Sequence, residues 1–287
     1  MPDLKTLSEF EVTNHIWTEE IAAQYPVIQL SNDHGTVAIA LHGAHIIEYI
    51  PANQKPVIFT SKEAIYREGK AIRGGIPLCW PWFSAHPTDH SLPSHGYARI
   101  QFWQVVKTSH KDGITSISFE INHNQLRANV TITLGESLEI SLTTTNLSEE
   151  IKTIGGALHS YFLISDIEAI SINGMDNTRY LDTLTNHVEN QSGDIFITKE
   201  TDRIYMNTSE SVTIVDRNWD RTIIIDKTGS KSTVIWNPWI EKSKQMSDLK
   251  NEDYRNFICV ETANTLEDVY HLTPGSKHSL TTKITSI

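Results

Sequence analysis

Two residues sit where a strand-forming sequence rarely tolerates them. His159 interrupts the apolar stretch G-G-A-L-H-S-Y-F at 155–162, and Glu261 follows the apolar run F-I-C-V at 257–260. In strict alternation Glu261 shares a face with Phe257 and Cys259, so its carboxylate points inward. An inward carboxylate is costly unless it is paired or used. One reading is a general base with a tuned pKa; the other is a buried salt bridge to an arginine. For His159 the alternatives are an acid or base in a pocket and a core histidine satisfied by hydrogen bonds. Gly155 and Gly156 favour the pocket, because missing side chains leave room for something to approach.

A third unusual stretch runs from Ile72 to Arg99. It holds four prolines, three glycines, two tryptophans, three histidines and two arginines in 28 residues. A loop so rich in proline and aromatics is stiff enough to form a concave wall that keeps its shape without a ligand. Arg73 opens it and Arg99 closes it. His86 and His90 are four apart, but Pro87 rules out a helical pair of metal ligands, and loop polarity explains both. His95 differs: in H-G-Y-A-R, Gly96 allows a tight turn and the close approach of a ligand. Asp202, in T-D-R-I-Y, is either part of a surface turn or a carboxylate that accepts hydrogen bonds from sugar hydroxyls. Trp236 and Trp239, in W-N-P-W, are either packing residues or aromatic faces for a pyranose ring, and Asn-Pro favours an exposed rim.

The elements that must position these residues are strands. Leu126, Ala128, Val130, Ile132 and Leu134 alternate with polar residues, and Leu138, Ile140 and Leu142 resume after Gly135-Glu136. That predicts a hairpin with one buried face and a type II′ turn. Thr115 to Ile121 alternates in the same way. Shorter β-rich runs cover Thr36 to Leu41, Ile46 to Ile50, Ile151 to Leu158, Ser211 to Val215, Thr222 to Asp226 and Thr233 to Trp236. Helical periodicity is weak, with short candidates at Leu4 to Phe10 and Ser61 to Tyr66. No repeat or linker divides the chain, which predicts an all-β protein: one large antiparallel β-sandwich over 1–287 with a few short helices.

The 287 residues carry a formal charge of -11. That disfavours nucleic acid and anionic membranes as partners, and it requires any anionic ligand to be held by particular arginines. No apolar run approaches the roughly 18 residues of a membrane span. The first residues lack the features of a signal peptide, so the expected compartment is the cytoplasm. Cys79 and Cys259 are expected as reduced, buried thiols.

Taken together, six segments resemble the aldose 1-epimerases, and within them the hexose-6-phosphate mutarotases. They are I-R-G-G-I-P-L-C-W-P at 72–81, S-H-G-Y-A-R at 94–99, G-A-L-H-S-Y-F at 156–162, T-D-R-I-Y at 201–205, W-N-P-W-I-E-K at 236–242 and C-V-E-T at 259–262. Galactose mutarotases share the fold and the His/Glu pair but lack the R-G-G-I-P block. Ser94 stands where some members carry a substrate-touching Gln, and Tyr97 where Phe is usual. The resemblance implies a sandwich of the galactose-mutarotase type, no cofactor and no metal. It implies His159 as general acid and Glu261 as general base, with Arg73, Arg99, Asp202, His95, Ser94 and Trp236 binding substrate. The implied activity is interconversion of the α and β anomers of a hexose 6-phosphate by a monomer whose partner is that small sugar phosphate. Alternatives are a mutarotase of unphosphorylated aldoses, a silent carbohydrate-binding protein, and a metal enzyme built on the loop histidines. The His/Glu pair is expected to hold its charges mutually, imidazolium against carboxylate.

Overall fold

Alternation decides the strands. The computed structural model describes residues 7–21 and 25–287. Leu126–Leu134 is a strand whose odd and even residues alternate between partly exposed and buried along its whole length. It pairs with Ile114–His123 on one side and Leu138–Asn146 on the other. These belong to an eight-stranded antiparallel sheet completed by Gln104–Lys111, Lys277–Ser286, Arg221–Thr228, Val212–Asp216 and Ile170–Asn173.

The second eight-stranded sheet carries the unusual residues. In chain order its strands are β1 (Leu78–Cys79), β2 (Gly156–Leu158), β3 (Tyr161–Leu163), β4 (Arg179–Asp182), β5 (His187–Asn190), β6 (Thr201–Met206), β7 (Ser232–Asn237) and β8 (Phe257–Asn264). Their spatial order is β5-β4-β6-β7-β8-β2-β1, with β3 also pairing β8. The two sheets share one apolar cluster, to which β8 gives Ile258 and Val260 and the facing sheet gives Ile140, Leu280 and Ile284. Trp80 ties them further by donating from Nε1 to Thr144 Oγ1 at 2.8 Å. A four-stranded sheet (Ile16–Ile21, Tyr25–Asn32, Gly35–Ala40, His45–Pro51) and a two-stranded one (Lys152–Ile154 with Tyr270–Leu272) complete the architecture.

Three local expectations differ from the structure. Leu134 pairs with Leu138, so the hairpin loop is Gly135 to Ser137, and Gly135 does not take the positive φ of a type II′ turn. The run Ile151 to Leu158 divides at Gly155, whose N–H turns aside to the Pro81 carbonyl, so its halves join different sheets. Ser61 to Tyr66 makes one turn, capped by Ser61 Oγ on the Glu63 N–H, and does not continue as a helix. Of Leu4 to Phe10, residues 4–6 lie outside the described residues, and Ser8–Phe10 form a 3-10 turn. The one α-helix bounded among the described residues, α1, is Trp239–Lys244.

Candidate active site

Strand β8 is buried on both faces. Ile258 and Val260 enter the main core, whereas Cys259 and Phe257 join a separate apolar group with Tyr161 and Phe59. Glu261 follows on this second face, as strict alternation requires. Register then builds two rows across the sheet. Asp202 pairs with Trp236, Trp236 with Cys259, and Cys259 with Tyr161. In the next row Ile204 pairs with Val234, and Val234 with Glu261. Between the Leu158–Thr262 and Tyr161–Cys259 pairs, His159 stands opposite Glu261. The ladder breaks there because the His159 N–H goes to the Pro77 carbonyl instead, at 3.1 Å.

The rows floor a cavity of about 600 Å³. Its far wall is the Ile72 to Arg99 loop, which contributes Arg73, Phe83, Ser84, Ser94, His95 and Arg99. The eight residues that the resemblance assigns to the site all line this one space: Arg73, Ser94, His95, Arg99, His159, Asp202, Trp236 and Glu261. His86 and His90 do not. His86 Nδ1 instead accepts the N–H of Asp89 at 3.0 Å, an ordinary loop contact.

Two glycine expectations are corrected. Gly96 has φ +73°, and a Cβ there would lie 2.0 Å from the Trp80 carbonyl oxygen. A Cβ on Gly156 would lie 2.5 Å from the Cys79 carbonyl oxygen. These glycines admit neighbouring backbone rather than a ligand. The Asn237 expectation also fails: it is buried, donating to the Tyr254 and Phe257 carbonyls, and Trp239 packs on Tyr254. Only Trp236 of the pair reaches the cavity.

His159 Nε2 lies 3.3 Å from Glu261 Oε1, and the side chains are 11% and 1% exposed. His159 Nδ1 and Glu261 Oε2 are buried without a protein partner. Burial holds the imidazole well below its ordinary range, and His95, Arg99 and Arg73 push the same way. Burial, then Asp202, lifts the Glu261 carboxyl well above its range, with Arg99 opposing. Desolvation is the largest cause of both shifts, and it works against the mutual charge stabilisation expected of imidazolium and carboxylate. His95, its ring 5.9 Å from that of His159, is pushed down to about 3 by burial, Arg99 and Arg73. Burial also raises Asp202, and Asp182 and Glu200 add to it.

The arginines differ. Arg73 gives Nε to Asp248 at 3.1 Å and Nη1 to the Tyr161 hydroxyl at 3.0 Å. Arg99 gives Nη2 to the Ser94 carbonyl at 2.9 Å, and among the described residues it has no carboxylate within ion-pair distance. Ser94 thus meets Arg99 through its backbone. Sequence reasoning passed over Tyr161, whose ring stacks on His159 at 4.9 Å and 11°. Its signal was present, since it follows His159 by two positions in a strand segment. Nothing local marks Asp248, which reaches Arg73 only through the fold.

An Aldose 1-epimerase family model matches residues 26–285. The chain belongs to the aldose 1-epimerase family. A relative from Escherichia coli K12, provisionally named a glucose-6-phosphate 1-epimerase, is 33% identical over 251 residues, 82% of each chain. A crystal structure of a protein from Salmonella typhimurium, provisionally named a mutarotase, superposes with TM-score 0.89 at 26% identity, covering 96% of this chain and 95% of that one. A galactose mutarotase related enzyme from Lactobacillus acidophilus matches at TM-score 0.73 and 16% identity over 91% of this chain and 97% of that one, a likeness of fold. The expected all-β fold of the galactose-mutarotase type is thus borne out. This aldose 1-epimerase family member is an isomerase, and no helix among its described residues is long and apolar enough to cross a membrane.

Proposed function

We propose that the protein interconverts the α and β anomers of a hexose 6-phosphate, glucose 6-phosphate first among them. The carrying observation is the His159–Glu261 contact of 3.3 Å in a cavity that also holds Arg73 and Arg99. Anomerisation opens a hemiacetal: a proton leaves the C1 hydroxyl and another reaches the ring oxygen. Both oxygens are bonded to C1, so acid and base must face one end of the sugar. His159 and Glu261 satisfy that demand, and each keeps an unpartnered buried atom for the substrate.

In this reading Glu261 accepts the C1 hydroxyl proton while His159 as imidazolium protonates the ring oxygen. The C–O bond opens to the aldehyde, C1 turns about the C1–C2 bond, and reclosure reverses the two roles. Each transfer contributes about 10²–10⁴-fold. Burial first, then His95, Arg99 and Arg73, depresses His159; a phosphate dianion bound to the two arginines offsets their share of that effect. Arg73 and Arg99 bind the phosphate with charge-assisted hydrogen bonds. Asp202, His95 and Ser94 face the sugar hydroxyls, and Trp236 walls the ring. Both cysteines are free, which supports a reducing compartment such as the cytoplasm. All eight site residues come from one chain, so the reading needs no second copy. One apolar cluster running from Leu7 to Ile284 supports reading 1–287 as a single domain.

The test is NMR saturation transfer between anomers of glucose 6-phosphate and of glucose. Faster exchange of the phosphate ester is expected. Preference for glucose would turn the reading into a mutarotase of free aldoses, and binding without acceleration into a silent sugar-binding protein.

A further inference from the structure

The same two rows that build the acid/base pair bring a thiol beside it. Cys259 and Glu261 are two apart on one face of β8, and His159 faces them from across the strand pair. A ring nitrogen of His159, the Cys259 sulfur and a carboxylate oxygen of Glu261 all lie within 4.8 Å of one another, and all three residues are buried. Donors around a tetrahedral zinc-class ion, at bonds of about 2.0–2.3 Å, are separated by about 3.5 Å, a modest closure from that spacing. Glu261 is 1% exposed and its Oε2 has no protein partner, so the cluster holds a buried acceptor that is unsatisfied. Cys259 has no part in the proton transfers proposed above.

We infer that His159, Cys259 and Glu261 form a binding site for a thiophilic divalent cation such as Zn²⁺ or Cd²⁺, and that occupation shuts the enzyme off. Thiolate and carboxylate together balance the dication, so the loaded site is neutral, which a buried position favours. The ligands must be deprotonated to bind, so affinity rises with pH. The fourth coordination position opens to the cavity, where water completes the tetrahedron. The metal engages His159 and Glu261, the two residues that anomerisation needs, so the two occupations exclude each other. The inhibitory consequence rests on the acid/base reading; the binding itself does not.

The experiment titrates the sugar-free protein with Cd²⁺ and follows the ultraviolet cadmium–thiolate charge-transfer band. One equivalent of band is expected in the wild type. Cys79→Ser should keep the band, while Cys259→Ser and Cys259→Ala should weaken it by at least about 10-fold in affinity. Zn²⁺ should lower wild-type anomer exchange at least tenfold, and the ratio of rates with and without Zn²⁺ should return towards one in the Cys259 variants. Absence of a band in the wild type would overturn the site, and needs no variant. A band lost with Cys79→Ser would place the metal elsewhere and equally overturn it. Stoichiometric binding with unchanged exchange would overturn the inhibition. Because the band is read without sugar, its failure leaves the acid/base reading standing.

Discussion

Replacing Arg73 with Ala tests the proposed phosphate contact most sharply. Arg73 spends Nε on Asp248 and Nη1 on the Tyr161 hydroxyl, which leaves Nη2 as its free arm into the cavity. One charge-assisted hydrogen bond to phosphate is worth about 1.5–3 kcal/mol. At 1.4 kcal/mol per decade, kcat/KM for glucose 6-phosphate should fall about 10- to 150-fold. Free glucose lacks the phosphate, so its loss should stay within about threefold, the size of a weak neutral hydrogen bond. Arg73→Ala also strands Asp248 as an anion facing the incoming phosphate. The double variant Arg73→Ala/Asp248→Asn should therefore recover part of the loss for the phosphate ester and none for glucose. The assay is anomer exchange by saturation transfer across a concentration series of each sugar. Equal losses for the two sugars would remove Arg73 from the phosphate role.

Other predictions follow from the same geometry. Glu261 is lifted above its ordinary 4.5 and His159 held below 6.5. Activity needs one proton on the pair, so the basic limb of the kcat/KM profile should lie above 4.5 and the acidic limb below 6.5; a basic limb below 4.5 or an acidic limb above 6.5 would contradict the burial argument. A group whose folded pKa is raised stabilises below its unfolded pKa and loses that contribution as pH rises through the folded value. Glu261→Gln should accordingly raise Tm at pH 8 more than at pH 4, read by calorimetry; an equal or opposite change would refute it. Gly96→Ala forces a side chain onto φ +73° and into the Trp80 carbonyl. It should cost at least about 2 kcal/mol and lower Tm by several degrees, and an unchanged melt would show that the loop yields freely.

Much of this site was legible because its chemistry violates local strand logic. A carboxylate in phase with Phe257 and Cys259 has to be used or paired, and the structure puts it beside His159. The strand Leu126–Leu134 was legible for the opposite reason, since its alternation is unbroken. What escaped was tertiary. The Leu134–Leu138 pairing lengthens a loop that reads as two residues. Gly96 and Gly156 read as openings for a ligand because sequence cannot show which carbonyl occupies the space. The desolvation of the pair was not legible, because proximity is visible in a motif and burial of both groups is not. Asp248 lies far along the chain from Arg73, and no periodicity links them.

The central claim is that His159, in the break between β2 and β3, and Glu261 on β8 share the proton traffic at one hemiacetal carbon. Saturation transfer between the anomers of glucose 6-phosphate measures that traffic directly, in the wild type and in Glu261→Gln and His159→Ala, each checked for native circular dichroism. The account predicts that each variant loses about 10²-fold or more of the enzyme-catalysed exchange. Wild-type exchange in both would contradict it.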